Sequence, residues 1–346
     1  MNRMPKLIGL DLGFGFTKCT DGQRSIIFQS HMRGGIADGR NEREPAEGIH
    51  AIQVDEKDYT VGDDAGGSSL FEDFARRPDR LFKAYGRHLV LTALAPFSNY
   101  ETPMYAVVGL PVAYFRQWET QLQEELTGYH KIGIYQADHT CTRKNIYLSK
   151  IHVVPHPLGT FTNLIMDCDG RFRSSDYTRQ KVALVDIGFR TTDVIVMDAG
   201  RLCNRGCRTI EMGMANGFES IARRLRHETD LIPDLNRLYK AIRRGFIRIE
   251  DQEYNLKNLR AETYQWLATA LADRINDTLK DDWDLECVVL TGGGATDIGE
   301  DLAPRLDGNI VMIEHAEDMR LSNAEGQLSL ARHMWGATGL CESNRR

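Results

Sequence analysis

Three apolar runs, each closing on glycine, set the pattern of this chain. Residues 7–12 read Leu-Ile-Gly-Leu-Asp-Leu and run into Gly13-Phe-Gly15. Residues 182–187 read Val-Ala-Leu-Val-Asp-Ile and run into Gly188-Phe189. Residues 287–291 read Cys-Val-Val-Leu-Thr and run into Gly292, Gly293 and Gly294. Short continuous apolar runs bounded by turn residues predict buried strands. Between them the period changes. Strands are expected at residues 25–28, 105–110, 132–135, 145–154, 201–211 and 310–313, and a small hairpin at 51–54 with 59–61. Helical spacing predicts helices over 79–96 and 114–126, one after Val153–Phe161, one from Phe218, and a last one from Ser322 to Gly336. Leu256, Leu259, Leu267, Leu271, Ile275 and Leu279 form one stripe of a long helix over 256–279. Polar, glycine-containing residues 34–48 and Gly66 to Ser69 read as loops, and 341–346 as a short polar end.

The first two runs belong to a longer repeated unit: strand, aspartate, glycine turn, return strand. Asp11 and Asp186 stand 175 positions apart, close to half of the 346 residues. Such a repeat predicts duplication of one domain, and two such hairpins facing each other would hold a nucleotide's phosphates from both sides. Each aspartate, at a strand end, is a candidate to hold Mg2+ directly or through water. Gly13 and Gly15 let the chain turn sharply and bring backbone N–H groups to an anion, and Lys18 adds a point charge suited to phosphate. At Gly292 to Gly294 the backbone can pass a flat ligand with no side chain in the way.

Composition narrows the choice. The length suits two domains. A net charge of −6 leaves no general basic footprint, so direct nucleic-acid contact is not expected. The seven cysteines are scattered, with Cys203 and Cys207 the single close pair, and they read as reduced thiols of a cytoplasmic protein rather than a zinc site. No leader segment and no membrane span are predicted. Arg223, Arg224, Arg226, Arg243 and Arg244 read as solvated helix faces, and Trp266 as core or interface packing rather than ligand stacking.

Asp11-Leu-Gly-Phe-Gly-Phe-Thr-Lys18, Asp186-Ile-Gly-Phe-Arg-Thr-Thr-Asp193 and Thr291-Gly-Gly-Gly294 resemble the phosphate-1, phosphate-2 and adenosine motifs of the actin, Hsp70 and sugar-kinase superfamily. The form of the first motif is most similar to bacterial plasmid-segregation (ParM or StbA type) and archaeal actin-like proteins. The resemblance implies an α/β fold: duplicated RNase H-like (actin-type) domains around a nucleotide cleft, with small insertions in each half. Domain I would span 1–160, with an insertion at about 31–80 and residues 323–346 returning to it. Domain II would span 161–322, with an insertion at about 218–280. Asn323, Ala324 and Gly326 resemble the small-residue motif at which two helices cross.

The resemblance also implies a filament-forming ATPase that polymerises with Mg-ATP and hydrolyses it, in plasmid or DNA segregation or other intracellular positioning. Its partners would be copies of itself and an adaptor to DNA or other cargo, with no membrane contact. The alternative is a non-polymerising member: a metabolite kinase, for which no catalytic aspartate or sugar-pocket motif is evident, or a regulatory or chaperone-like ATPase. Asp11, His156 and Asp186 would be catalytic, with Asp11 and Asp186 organising Mg2+. Gly13, Phe14, Gly15, Phe16, Lys18, Gly188, Thr191, Thr192, Gly292, Gly293 and Gly294 would bind ATP, the first-turn residues and Gly188 through backbone N–H groups. Two departures stand out. His156, between Pro155 and Pro157, occupies the position where relatives carry a Gln or Glu that orients the attacking water. Phe14 replaces the small hydroxyl residue of conventional actins.

Overall fold

The run at residues 7–12 is strand β1 (Lys6–Leu12), buried on both faces in the computed structural model. The structure describes residues 4–36, 51–62, 78–99, 102–135, 140–173, 176–229, 235–249, 251–313 and 318–336. The expected loop beyond Ile36, the break at Gly66 to Ser69 and the polar end from Cys341 lie outside these.

The chain divides into two units, the second being Gln180–Glu314 and the first the segments around it. In the first unit β1 is followed by β2 (Phe16–Thr20), β3 (Ser25–Gln29), β4 (Met32–Gly34), β5 (Ala51–Val54), β6 (Lys57–Val61), β7 (Met104–Leu110), β8 (Gly128–Tyr135) and β9 (Cys141–Pro155). Among the described residues they form one sheet in the order β3-β2-β1-β7-β9-β8-β5-β6-β4. β1, β7 and β9 are parallel, so their C-terminal ends lie side by side. The period-two alternation of β1 sorts its side chains. Ile8, Leu10 and Leu12 enter the core with Leu89, Val90 and Trp118, from helices Pro78–Leu94 and Val112–Leu126. Gly9 lies on the opposite face, under helix Ser322–Trp335.

The second unit holds β10 (Lys181–Ile187), β11 (Thr192–Asp198), β12 (Arg201–Ile210), β13 (Phe246–Ile249), β14 (Gln252–Asn255), β15 (Cys287–Thr291) and β16 (Ile310–Met312). Its main sheet runs β12-β11-β10-β15-β16. The first five strands of the other sheet, β3-β2-β1-β7-β9, have the same order and directions: an antiparallel meander, then two parallel strands. The duplication expected from the spacing of the aspartates is therefore a duplication of topology. Ala183, Val185, Ile187, Val288 and Leu290 pack under helices Met214–Thr229, Lys257–Leu279 and Gly293–Leu302.

The helix Leu235–Arg244 stops at Gly245, whose positive φ of 85° ends it, and the β13–β14 hairpin follows. Ile247 is buried and its neighbours Phe246 and Arg248 are exposed, a period of two too short to be seen against the preceding arginines. Of the two places expected for Trp266, core or interface, its 48% exposure removes the core: it falls on the solvent side of a helix whose other side carries Leu267, Leu271 and Ile275. The five arginines are exposed as expected. Among the described residues no helix is long and apolar enough to cross a membrane.

One turn carries a pH prediction. Asp21 closes the β2–β3 connection by accepting the N–H groups of Gln23 and Arg24, each at 2.9 Å, and pairs with Lys6 at 3.1 Å. Partial burial pushes its carboxyl up, but these hydrogen bonds and Lys6 outweigh it and hold the group below its ordinary value. A depressed carboxyl stabilises the fold above its unfolded pKa, about 3.9, and the contribution is lost as pH falls through the lower folded value. Asp21→Asn should therefore flatten the decline of melting temperature below about pH 4, measured by circular dichroism.

Candidate functional site

In each unit the strand–aspartate–glycine unit folds into the same cradle. In the first, Asp11 lies opposite Lys18 across β1 and β2, and Leu12 opposite Thr17. In the second, Asp186 lies opposite Asp193, and Ile187 opposite Thr192. Gly13 N–H donates to the Phe16 carbonyl at 3.2 Å, and Gly188 N–H to the Thr191 carbonyl at 2.9 Å. A methyl group at Gly13 would lie 2.9 Å from the Phe16 oxygen, and one at Gly188 would lie 2.8 Å from the Thr191 oxygen. Equivalent residues of two distant segments thus make equivalent contacts. They also revise the expected roles of Gly13 and Gly188, whose N–H groups close their own turns. Both glycines shape the cradle.

In the first cradle Asp11 is almost wholly buried. Its Oδ2 takes a 2.6 Å hydrogen bond from Lys18 Nζ, and the lysine side chain is 14% exposed. His156 is the first residue of helix His156–Ile165, directly after β9. Its Nε2 stands 3.1 Å from the Leu12 carbonyl and 3.1 Å from Asp11 Oδ1. A carbonyl only accepts, so Nε2 carries the proton and gives it to Leu12. Asp11 Oδ1 is left with no hydrogen-bond partner among the described residues. Burial pushes the Asp11 carboxyl up, while His156 and Lys18 pull it further down, and the net value lies below the ordinary one. A buried carboxylate kept charged beside a lysine suits a hydrated divalent cation.

In the second cradle the glycine loop comes to the aspartate. Gly292, at a φ of 88°, sits so close to Asp186 that a methyl group there would collide with Oδ1 and lie 2.7 Å from the Ile187 carbonyl. Gly294 lies against Ile187, 2.8 Å from its carbonyl by the same measure. These two glycines thus face β10, and their absent side chains let helix Gly293–Leu302 begin at the strand end. The turn carbonyls are held from the other side: Ala215 N–H donates to Phe189 at 2.7 Å and Met214 N–H to Gly188 at 3.2 Å, with Asn216 Oδ1 accepting from Gly213 N–H. Thr192 is fully buried and its hydroxyl donates to the Met212 carbonyl at 2.9 Å, which ties the turn to the following helix. Asp193 accepts from the Thr209 hydroxyl at 2.6 Å, a structural tie between β11 and β12. Among the described residues no three His, Cys, Asp or Glu gather to hold a metal, so a cation here would keep most of its water.

Two residues at the first cradle escape sequence reading. Gly109, in the strand expected at 105–110, lies beside Asp11 in the β1–β7 register. Gln327 of helix Ser322–Trp335 is fully buried against it. A glutamine beside a glycine in a polar helix start carries no signal of burial.

Known families match both units. The model for the actin-like proteins N-terminal domain matches residues 9–159, and that for the archaeal actin homologue MreB-like C-terminal domain matches residues 184–304. Solved structures share the fold. The ParM filament of 15 strands from Clostridium botulinum superposes with a TM-score of 0.75 at 19% identity, covering 96% of this chain and 100% of that one. The archaeal actin homologue Ta0583 in complex with ADP gives 0.73 at 18% identity, covering 94% and 99%. A non-polymerisable quadruple mutant of pCBH ParM gives 0.71 at 20% identity, again covering 94% and 99%. No curated protein sequence matches the chain.

Proposed function

This chain belongs to the actin-like proteins, and we propose that it is a filament-forming ATPase whose two cradles take the phosphates and Mg2+ of ATP. The observation that carries the reading is the repeated cradle itself, with Asp11 and Asp186 at matching strand ends and matching glycine turns behind them. Asp11 and Asp186 organise the hydrated Mg2+. The turn N–H groups around Phe14, Gly15, Phe16 and Thr191 and the Lys18 ammonium neutralise phosphate charge, which is most of the catalysis that phosphoryl transfer needs. Gly292, Gly293 and Gly294 present backbone to the nucleoside. His156, anchored through Nε2 to Leu12, positions the attacking water.

Hydrolysis would then limit the life of a polymer assembled with Mg-ATP, and copies of the chain would be its first partners. Plasmid or DNA segregation through an adaptor is the role that the ParM likeness supports, in keeping with the acidic balance of the sequence. Sedimentation with light scattering, in Mg2+ with ATP, ADP or no nucleotide, tests the reading. Pelleting is expected with ATP and should reverse as phosphate is released. A chain that binds ATP and stays monomeric at high concentration would refute polymerisation. His156→Ala should lower hydrolysis by about 10²-fold while sparing nucleotide binding, read by phosphate release and by equilibrium binding. Unchanged turnover would remove His156 from the mechanism.

A further inference from the structure

Polar atoms left without partners in a close-packed interior call for an explanation, because each gives up its hydrogen bonds to water on folding. Among the described residues, three such atoms belong to the first cradle and the helix above it: Asp11 Oδ1, Gln327 Nε2 and Gln327 Oε1. Asp11 and Gly109 are register partners on adjacent parallel strands, so their side-chain directions point to the same face of the sheet. A methyl group at Gly109 would collide with Gln327 Nε2 and stand 3.1 Å from His156 Cδ2. His156 also touches the aspartate, with Nε2 3.1 Å from Oδ1. The Gln327 amide, the His156 ring edge and the Asp11 carboxylate therefore gather on one face, at the ends of β1 and β7. Glycine at 109 is what admits the amide there.

We propose that Gln327 holds a buried water against Asp11 Oδ1 and the His156 ring, and so acts as a positioning residue for His156. An amide offers two donors and an acceptor, and a carboxylate oxygen accepts. One water joining them has the two to four polar partners that a stable internal water requires. Its effect on the site is mechanical. Nε2 of His156 is committed to Leu12 at 3.1 Å, which fixes one edge of the ring. The water and Gln327 would add a contact on the Cδ2 side of the ring and so hold its orientation more firmly. The consequence for hydrolysis rests on the function proposed above, whereas the water site does not.

Two measurements separate them. In the folded chain with labelled glutamine, nuclear magnetic resonance at mildly acidic pH should show a cross-peak between the Gln327 side-chain amide and a long-lived water. Absence of that cross-peak, with Gln327→Leu raising the melting temperature, would overturn the site and leave a dry, unpaired amide. In steady-state kinetics Gln327→Leu should lower kcat about tenfold and leave KM unchanged, the loss of one well-placed hydrogen bond. Gln327→Met, unbranched and closer in shape, should reproduce the loss if leucine fails to fold. A cross-peak with unchanged kcat in both variants would overturn the positioning role. If the wild-type chain hydrolyses no nucleotide, the ATPase reading fails and the cross-peak still decides the water.

Discussion

Asp186→Ala should remove Mg2+-dependent nucleotide turnover, by about 10³-fold, in a chain that still folds. The size follows from what the carboxylate would do. Phosphoryl transfer spreads negative charge over the transferring group, and a cation held in place offsets it without reorganisation during the reaction. Asp186 is buried at the end of β10, against the backbone of Gly292. The fold should survive because the strand keeps its apolar partners Val185 and Ile187 in the core. Phosphate release with and without Mg2+, alongside thermal melts, decides the matter, and full activity would refute the site. Asp11→Asn is the matching test in the first cradle. Asparagine rather than alanine is chosen because removing the acceptor of a largely buried ion pair strands Lys18, at a cost of about 3–5 kcal/mol that would obscure the kinetics.

The largest effect on stability is expected at Gly326. Helices His156–Ile165 and Ser322–Trp335 cross with glycine on both sides of the contact. A methyl group at Gly326 would run into the Gly159 carbonyl oxygen and lie 3.0 Å from Asn163 N. One at Gly159 would lie 2.8 Å from Asn323 Cα. The obstacles are backbone atoms, which no rotamer change can move aside, so the helices would have to separate. Separation would break the Thr160–Asn323 hydrogen bond of 2.8 Å and shift the turn that carries His156. Gly326→Ala should cost about 3 kcal/mol and Gly326→Val more than about 4 kcal/mol, read from urea unfolding midpoints. Gly34→Ala, where nothing stands within 4 Å, should change stability by less than about 0.5 kcal/mol. Equal stability of the Gly326 and Gly34 variants would mean that the helices do not cross so closely.

The sequence by itself determined most strands of the two main sheets, the duplication and the positions of the two aspartates. Each apolar run needs only its own residues to be recognised, and Asp11 and Asp186 are marked by the glycine turns that follow them within a few positions. Local periodicity says which side of an element faces a core. It does not say which element arrives there, and the tertiary structure alone decided that. It placed Gly109 beside Asp11 and brought Gln327 over it from more than 200 positions away in the chain. It tied His156 to Leu12 across 144 positions. It also turned the N–H groups of Gly13 and Gly188 inward to close their turns, a choice fixed by which carbonyl lies within hydrogen-bonding distance once the return strand has paired. Close approach of backbones leaves glycine as its trace in a sequence, and glycine is written the same way for a turn, a crossing and a loop.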